Sequence, residues 1–100
     1  MPLKGSQRRF LRARAHGLRP LVQVGKLGLA PAVVTEIDRA LSAHELIKVR
    51  AAGTREEKEN LARNLEQQLA AEAVGLVGHI LILFRPHPDA EKRRIELPGG

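Results

Sequence analysis

The sequence predicts a single compact α/β domain in which the elements run helix, strand, helix, strand, helix, strand, strand. Segments with an apolar repeat near 3.6 residues alternate with short β-branched or period-two runs. One hundred residues, 43% of them apolar, suffice for one modest core and rule out a multi-domain enzyme. Glycines and prolines fall between the periodic segments, where turns are needed.

The elements follow in order. Ser6 is placed to cap a first helix that runs to about His16 and stops at Gly17. Phe10, Leu11, Ala15 and Leu18 gather on one side of it, and Arg8, Arg9, Arg12 and His16 on another. Pro20 then precedes LVQV, a short first strand that ends at Gly25 and Gly28. Pro31 suits the first turn of a second helix, where Val33, Val34, Ile37, Ala40 and Leu41 recur at helical spacing while Glu36, Asp38 and Arg39 take the other face. In LIKVRA, Ile47, Val49 and Ala51 alternate with Lys48 and Arg50, which sets two cations on one sheet face.

Thr54 and Glu57 have capping-box spacing, and Leu61, Leu65 and Leu69 follow at four-residue steps, so a third helix is expected there. VGLVGHILILFR reads as two strands joined by a tight turn near Gly78 and His79. Ile80 to Phe84 is apolar on both faces and belongs in the middle of the sheet. The domain is expected to cover 1–86. Residues 87–100, with two early prolines and a KRR run, read as a basic tail that could add a short edge strand at Arg94 to Leu97.

Charge separates along the chain. The 17 Lys and Arg outnumber the 11 Asp and Glu, for a net charge of +6. Seven bases and no acid lie before Glu36, the stretch from Glu36 to Ala73 holds six bases and eight acids, and the remainder holds four and three. An uncompensated basic segment favours an anionic partner. With no Cys there is no disulfide framework, which suits a reducing compartment, and the cytoplasm is the expected location. The N-terminus lacks the apolar region of a secretory signal, and the most apolar stretch, Ala73 to Phe84, falls short of the roughly 20 residues that cross a bilayer, so no membrane contact is expected.

The loop Gly25-Lys26-Leu27-Gly28 lies between a strand and a helix start. Glycines admit a phosphate close to the backbone, the helix start offers amide N–H groups, and Lys26 adds charge. Two glycines around a turn are also ordinary loop chemistry, so the pattern is weak by itself. With two Phe and no Tyr or Trp, base stacking of the RRM kind is disfavoured. His16, His44, His79 and His87 lack metal-ligand spacing, and neither Ser6 nor Ser42 sits in a nucleophile elbow. No catalytic residue, metal or cofactor is expected, and nothing demands a dimer.

Three motifs, AHGLRPLVQVGKLGL (15–29), HELIKVR (44–50) and VGHILILFR (77–85), resemble the CRM domain in order and spacing. That family is named for chloroplast RNA splicing and ribosome maturation, and its bacterial single-domain form is the YhbY type. The resemblance runs from about Ser6 to Pro86. It implies a four-stranded mixed sheet backed by helices, similar to the C-terminal domain of translation initiation factor three. It also implies RNA binding and, for bacterial members, association with precursors of the large (50S) ribosomal subunit. The family's GxxG falls on Gly25, Lys26, Leu27 and Gly28, and its basic surface on Arg8, Arg9 and Arg12 with Lys48, Arg50 and Arg85. Ala30 stands where relatives often place a capping Ser or Thr, and Phe84 where they often have Tyr. A non-enzymatic protein that binds ribosomal RNA is the reading this supports; a ribosome-associated factor that contacts mainly ribosomal proteins is the alternative.

Overall fold

The computed structural model describes residues 2–25 and 28–99. Helix α1 (Gly5–Ala15) leads into strand β1 (Pro20–Val24), followed by α2 (Pro31–His44), β2 (Leu46–Ala51), α3 (Arg55–Leu69), β3 (Glu72–Val77) and β4 (Ile80–Phe84), with a short 3-10 turn at Ala90–Lys92. The order is the one the periodicities predict. Helix α3 starts at the expected capping box: Glu57 N–H donates to Thr54 Oγ1 (3.1 Å) and Thr54 N–H to Glu57 Oε1 (2.9 Å). At α1 the expectation needs correction. The helix begins at Gly5, Ser6 lies inside it, and the Gln7 amide oxygen accepts the Lys4 N–H at 2.9 Å in place of a hydroxyl cap.

The sheet has the order β1-β2-β4-β3. Strand β1 runs parallel to β2, as a helical crossover allows, while β4 pairs antiparallel with both β2 and β3. The all-apolar β4 is therefore interior, flanked on both sides. Alternation sorts side chains to two faces. Ile47, Val49, Leu81 and Leu83 pack with Ile37 and Leu41 of α2 and Leu65 of α3. Leu46, Ile82 and Phe84 pack with Leu11 and Ala15 of α1 and with Ile95. Helices thus cover both faces, two on one side and α1 on the other.

Residues 87–99 are not a loose tail and form no edge strand. Ile95 is buried in the α1 cluster, Leu97 packs beside it, and Gln7 Nε2 donates to the Pro98 carbonyl oxygen at 3.0 Å. Glu45 explains why no strand forms. It is 2% exposed, and its carboxylate accepts N–H bonds from His87 (2.7 Å), Arg94 (2.7 Å) and Ile95 (3.1 Å). The Arg94 and Ile95 amides, which a strand would use for pairing, are bound to one side chain. Glu45 also has a positive φ of 64°, held by its own N–H on the Leu41 carbonyl and by Arg85 N–H on its carbonyl.

Candidate nucleic-acid interface

The paired strands define two ends of the sheet. At one end Val24 lies beside Ala51 and Arg50 beside Ile80, so Gly25, Gly28 and the Gly78–His79 turn share that end. At the other end Leu46 lies beside Phe84, which puts Arg85 there.

Of the expected GxxG loop, Gly25 and Gly28 are described, whereas Lys26 and Leu27 lie outside the described residues. Gly28 has φ +78°, a conformation that side chains resist, and a Cβ built on it would meet nothing within 4 Å. Its N–H donates to the Gly25 carbonyl oxygen at 3.1 Å. Ala30 occupies the N-cap of α2 without a side-chain bond and Pro31 follows, so no hydroxyl competes for the amides of the first turn. Among the described residues nothing crowds the Cβ position of Gly28, and the helix start that follows has no side-chain cap.

Lys48 and Arg50 alternate with Ile47 and Val49, and so project on the α1 side of the sheet. Arg50 is exposed; Lys48 is half-buried and its Nζ lies 3.4 Å from the His16 carbonyl oxygen at the end of α1. Arg9 is exposed on α1 and makes no ion pair among the described residues. The remaining arginines of the expected surface have structural duties. Arg8 donates to Glu72 Oε2 at 2.7 Å and to the Ala73 carbonyl at 3.0 Å, while Arg12 donates to the Val74 carbonyl at 2.9 Å. They serve β3 where its pairing with β4 shifts register between Ala73 and Gly75. A Cβ on Gly75 would stand 3.1 Å from Arg12 Cδ, so the glycine lets the arginine stem cross the strand.

Arg85 is parted from the others. Its guanidinium bonds Asp38 Oδ1 (2.7 Å), the Asp38 carbonyl (3.0 Å), the Leu69 carbonyl (3.0 Å) and Ser42 Oγ (3.0 Å), tying β4 to α2 and the end of α3. The sequence displays it as one more cation after a strand. Only the fold shows that four of its five donors are consumed.

Two further residues, neither of them among the expected site residues, hold this architecture together. Glu45 anchors the C-terminal segment, and burial pushes its carboxyl upward while three backbone N–H bonds and the nearby charge of His87 together hold it below the usual carboxylate range. Lys58, buried at 7% exposure, donates from Nζ to the Gly78 carbonyl oxygen at 2.7 Å and lies 3.3 Å from His79 Nδ1. It braces the β3–β4 turn against α3. A lysine at an interior position of the leucine repeat was the available signal, since a charge there needs a partner.

Charge is divided between the two faces. Helix α1 carries four arginines and no acid, whereas α2 and α3 together carry six acids and four bases. Fold and surface together define a small α/β domain with a one-sided cationic surface. The chain belongs to the CRS1/YhbY (CRM) domain family, whose model matches residues 3–85. It is 42% identical over 97 residues to an "RNA-binding protein" of Haemophilus influenzae, covering 96% of this chain and 95% of that one. Similarity to "Probable RNA-binding protein YqeI" of Bacillus subtilis is 38% over 97 residues, covering 96% and 99%. The solution structure of protein SAV1595 from Staphylococcus aureus superposes with a TM-score of 0.83 at 34% identity, over 97% of this chain and 100% of that one.

Proposed function

We propose that this chain is a non-enzymatic RNA-binding protein, and that its target is ribosomal RNA in precursors of the large ribosomal subunit. The observation that carries the reading is the one-sided charge: Arg9, Lys48 and Arg50 stand on the α1 side, beside an N-terminal segment with no acid before Glu36. Gly25 and Gly28 lie at the end of the sheet that Arg50 shares, a Cβ built on Gly28 meets nothing within 4 Å among the described residues, and Lys26 adds a positive charge between them in the sequence. The names of the relatives support RNA as the ligand class, and the family resemblance supports the ribosomal target.

Recognition rests on phosphate contacts and RNA shape. The chain's two aromatics, Phe10 and Phe84, belong to the packed cluster under α1 and offer no platform for stacked bases. Lys48 and Arg50 lie two residues apart on β2 and so project from the same face of the sheet, side by side. The deciding experiment is crosslinking in cells followed by mapping of the crosslinked nucleotides, with sedimentation of the tagged protein on a sucrose gradient. Crosslinks in large-subunit RNA and co-sedimentation with precursor particles are expected. Crosslinks spread over messenger RNAs, with the protein confined to the top of the gradient, would overturn the ribosomal target.

A further inference from the structure

The two edges of the sheet are treated differently. At β3, Arg8, Arg12 and Glu66 reach over and bond backbone groups of Ala73 and Val74, which closes that edge to another strand. At β1, the opposite edge, no side chain among the described residues hydrogen-bonds the backbone. Beside this open edge lies a groove of about 450 Å³, within the size range of specific ligand sites, about 300–1,000 Å³. Its lining includes the aliphatic Leu18, Leu21 and Ile95 and the cations Arg14, Arg19 and Arg94. Leu18 is 39% and Leu21 50% exposed, and none of the three arginines makes an ion pair among the described residues.

We propose that this groove and the β1 edge dock an extended acidic segment of a protein partner, one that carries aliphatic side chains between its carboxylates. Three features select that chemistry. The open edge supplies backbone donors and acceptors for an added strand. The aliphatic lining suits leucine or valine, and it contains no Phe, Tyr or Trp on which a nucleobase would stack. The unpaired arginines match carboxylates, whose forked geometry guanidinium groups recognise. Leu18, Leu21 and Arg19 surround the start of β1, away from the Gly25–Gly28 loop, so the segment and a phosphate at the loop can be held together.

The test uses the full chain and a labelled peptide of sequence DEDLVLVDED, followed by amide resonances and fluorescence anisotropy. Shifts should concentrate at Leu18 to Val24 and at Arg94 and Ile95. Leu21→Asp and Arg19→Glu should each weaken binding at least five-fold, and the charge-reversed peptide KKKLVLVKKK at least ten-fold. Arg63→Glu, on the far face, makes the same change in net charge as Arg19→Glu and should leave affinity within two-fold. Leu21→Thr, which keeps strand propensity, should weaken binding with an unchanged melting curve. Absent shifts along β1, or equal losses for Arg19→Glu and Arg63→Glu, overturn the proposal. So does oligouridylate that displaces the peptide and moves the same amides, since the groove would then belong to nucleic acid. RNA affinity measured in parallel on Lys48→Ala and Arg50→Ala reports on the RNA reading alone.

Discussion

Glu45 Oε1 accepts the backbone N–H of Ile95 at 3.1 Å, across fifty residues of sequence, and the same oxygen accepts the N–H of Arg94 at 2.7 Å. One buried carboxylate thereby locks the C-terminal segment against α1, while its second oxygen holds the His87 N–H. Replacing it leaves three backbone donors short of an acceptor. Glu45→Ala should cost about 1–3 kcal/mol and release hydrogen-exchange protection at Arg94 and Ile95. Unchanged protection would mean that Ile95 packing alone holds the segment.

The same group sets a pH dependence. Its folded carboxyl titrates below the ordinary carboxylate value, held there by the three backbone N–H bonds, so ionisation favours the folded state. The stabilisation is complete above the unfolded value and fades as pH falls through the lower folded one. The melting temperature of the parent should therefore exceed that of Glu45→Gln at pH 7, and the gap should narrow as the pH is lowered past 4. A gap independent of pH would contradict this.

Arg85 and Arg50 should separate stability from binding. Arg85→Ala removes four hydrogen bonds, one to a half-exposed Asp38 that water already screens, and is expected to cost about 1–3 kcal/mol. Any RNA affinity lost at a temperature where it remains folded should be under two-fold. Arg50→Ala is expected to show the reverse, a native melting curve and weaker RNA binding. Filter binding and calorimetry on the two variants check the pair.

Salt should govern the RNA complex. If four to six phosphates are neutralised, log K falls against log salt with a slope of roughly −3 to −5. A flat response between low and physiological salt would exclude a phosphate-dominated interface.

Gly28 distinguishes a phosphate clamp from a simple turn. At φ +78° any side chain is strained, so Gly28→Asn and Gly28→Asp should each cost about 1 kcal/mol, with Asn the milder. Their effects on RNA should diverge, because only Asp brings a negative charge to the amides. Equal affinity of both folded variants with the parent would move the site to Arg9, Lys48 and Arg50 alone.

What the sequence by itself determined is local: the element order from periodicity, the capping box at Thr54 and Glu57, the central place of Ile80 to Phe84, and the uneven charge before Glu36. These depend on neighbours within a few residues or on composition, which are read without knowing the fold. The motif resemblance supplied the family. Tertiary structure decided which charges are spent. Arg8, Arg12 and Arg85 look like Arg9 and Arg50 in the sequence, yet they end on carbonyls and carboxylates 16 to 65 residues away. Glu45 is invisible in the sequence for the same reason, and Lys58 shows there only as a charge within the leucine repeat, since a buried ionic group is tolerable only through partners that long-range packing delivers. The C-terminal segment packs where a tail is expected because its anchor lies in the turn between α2 and β2, and hydrogen bonds over such separations leave no periodic trace in the chain.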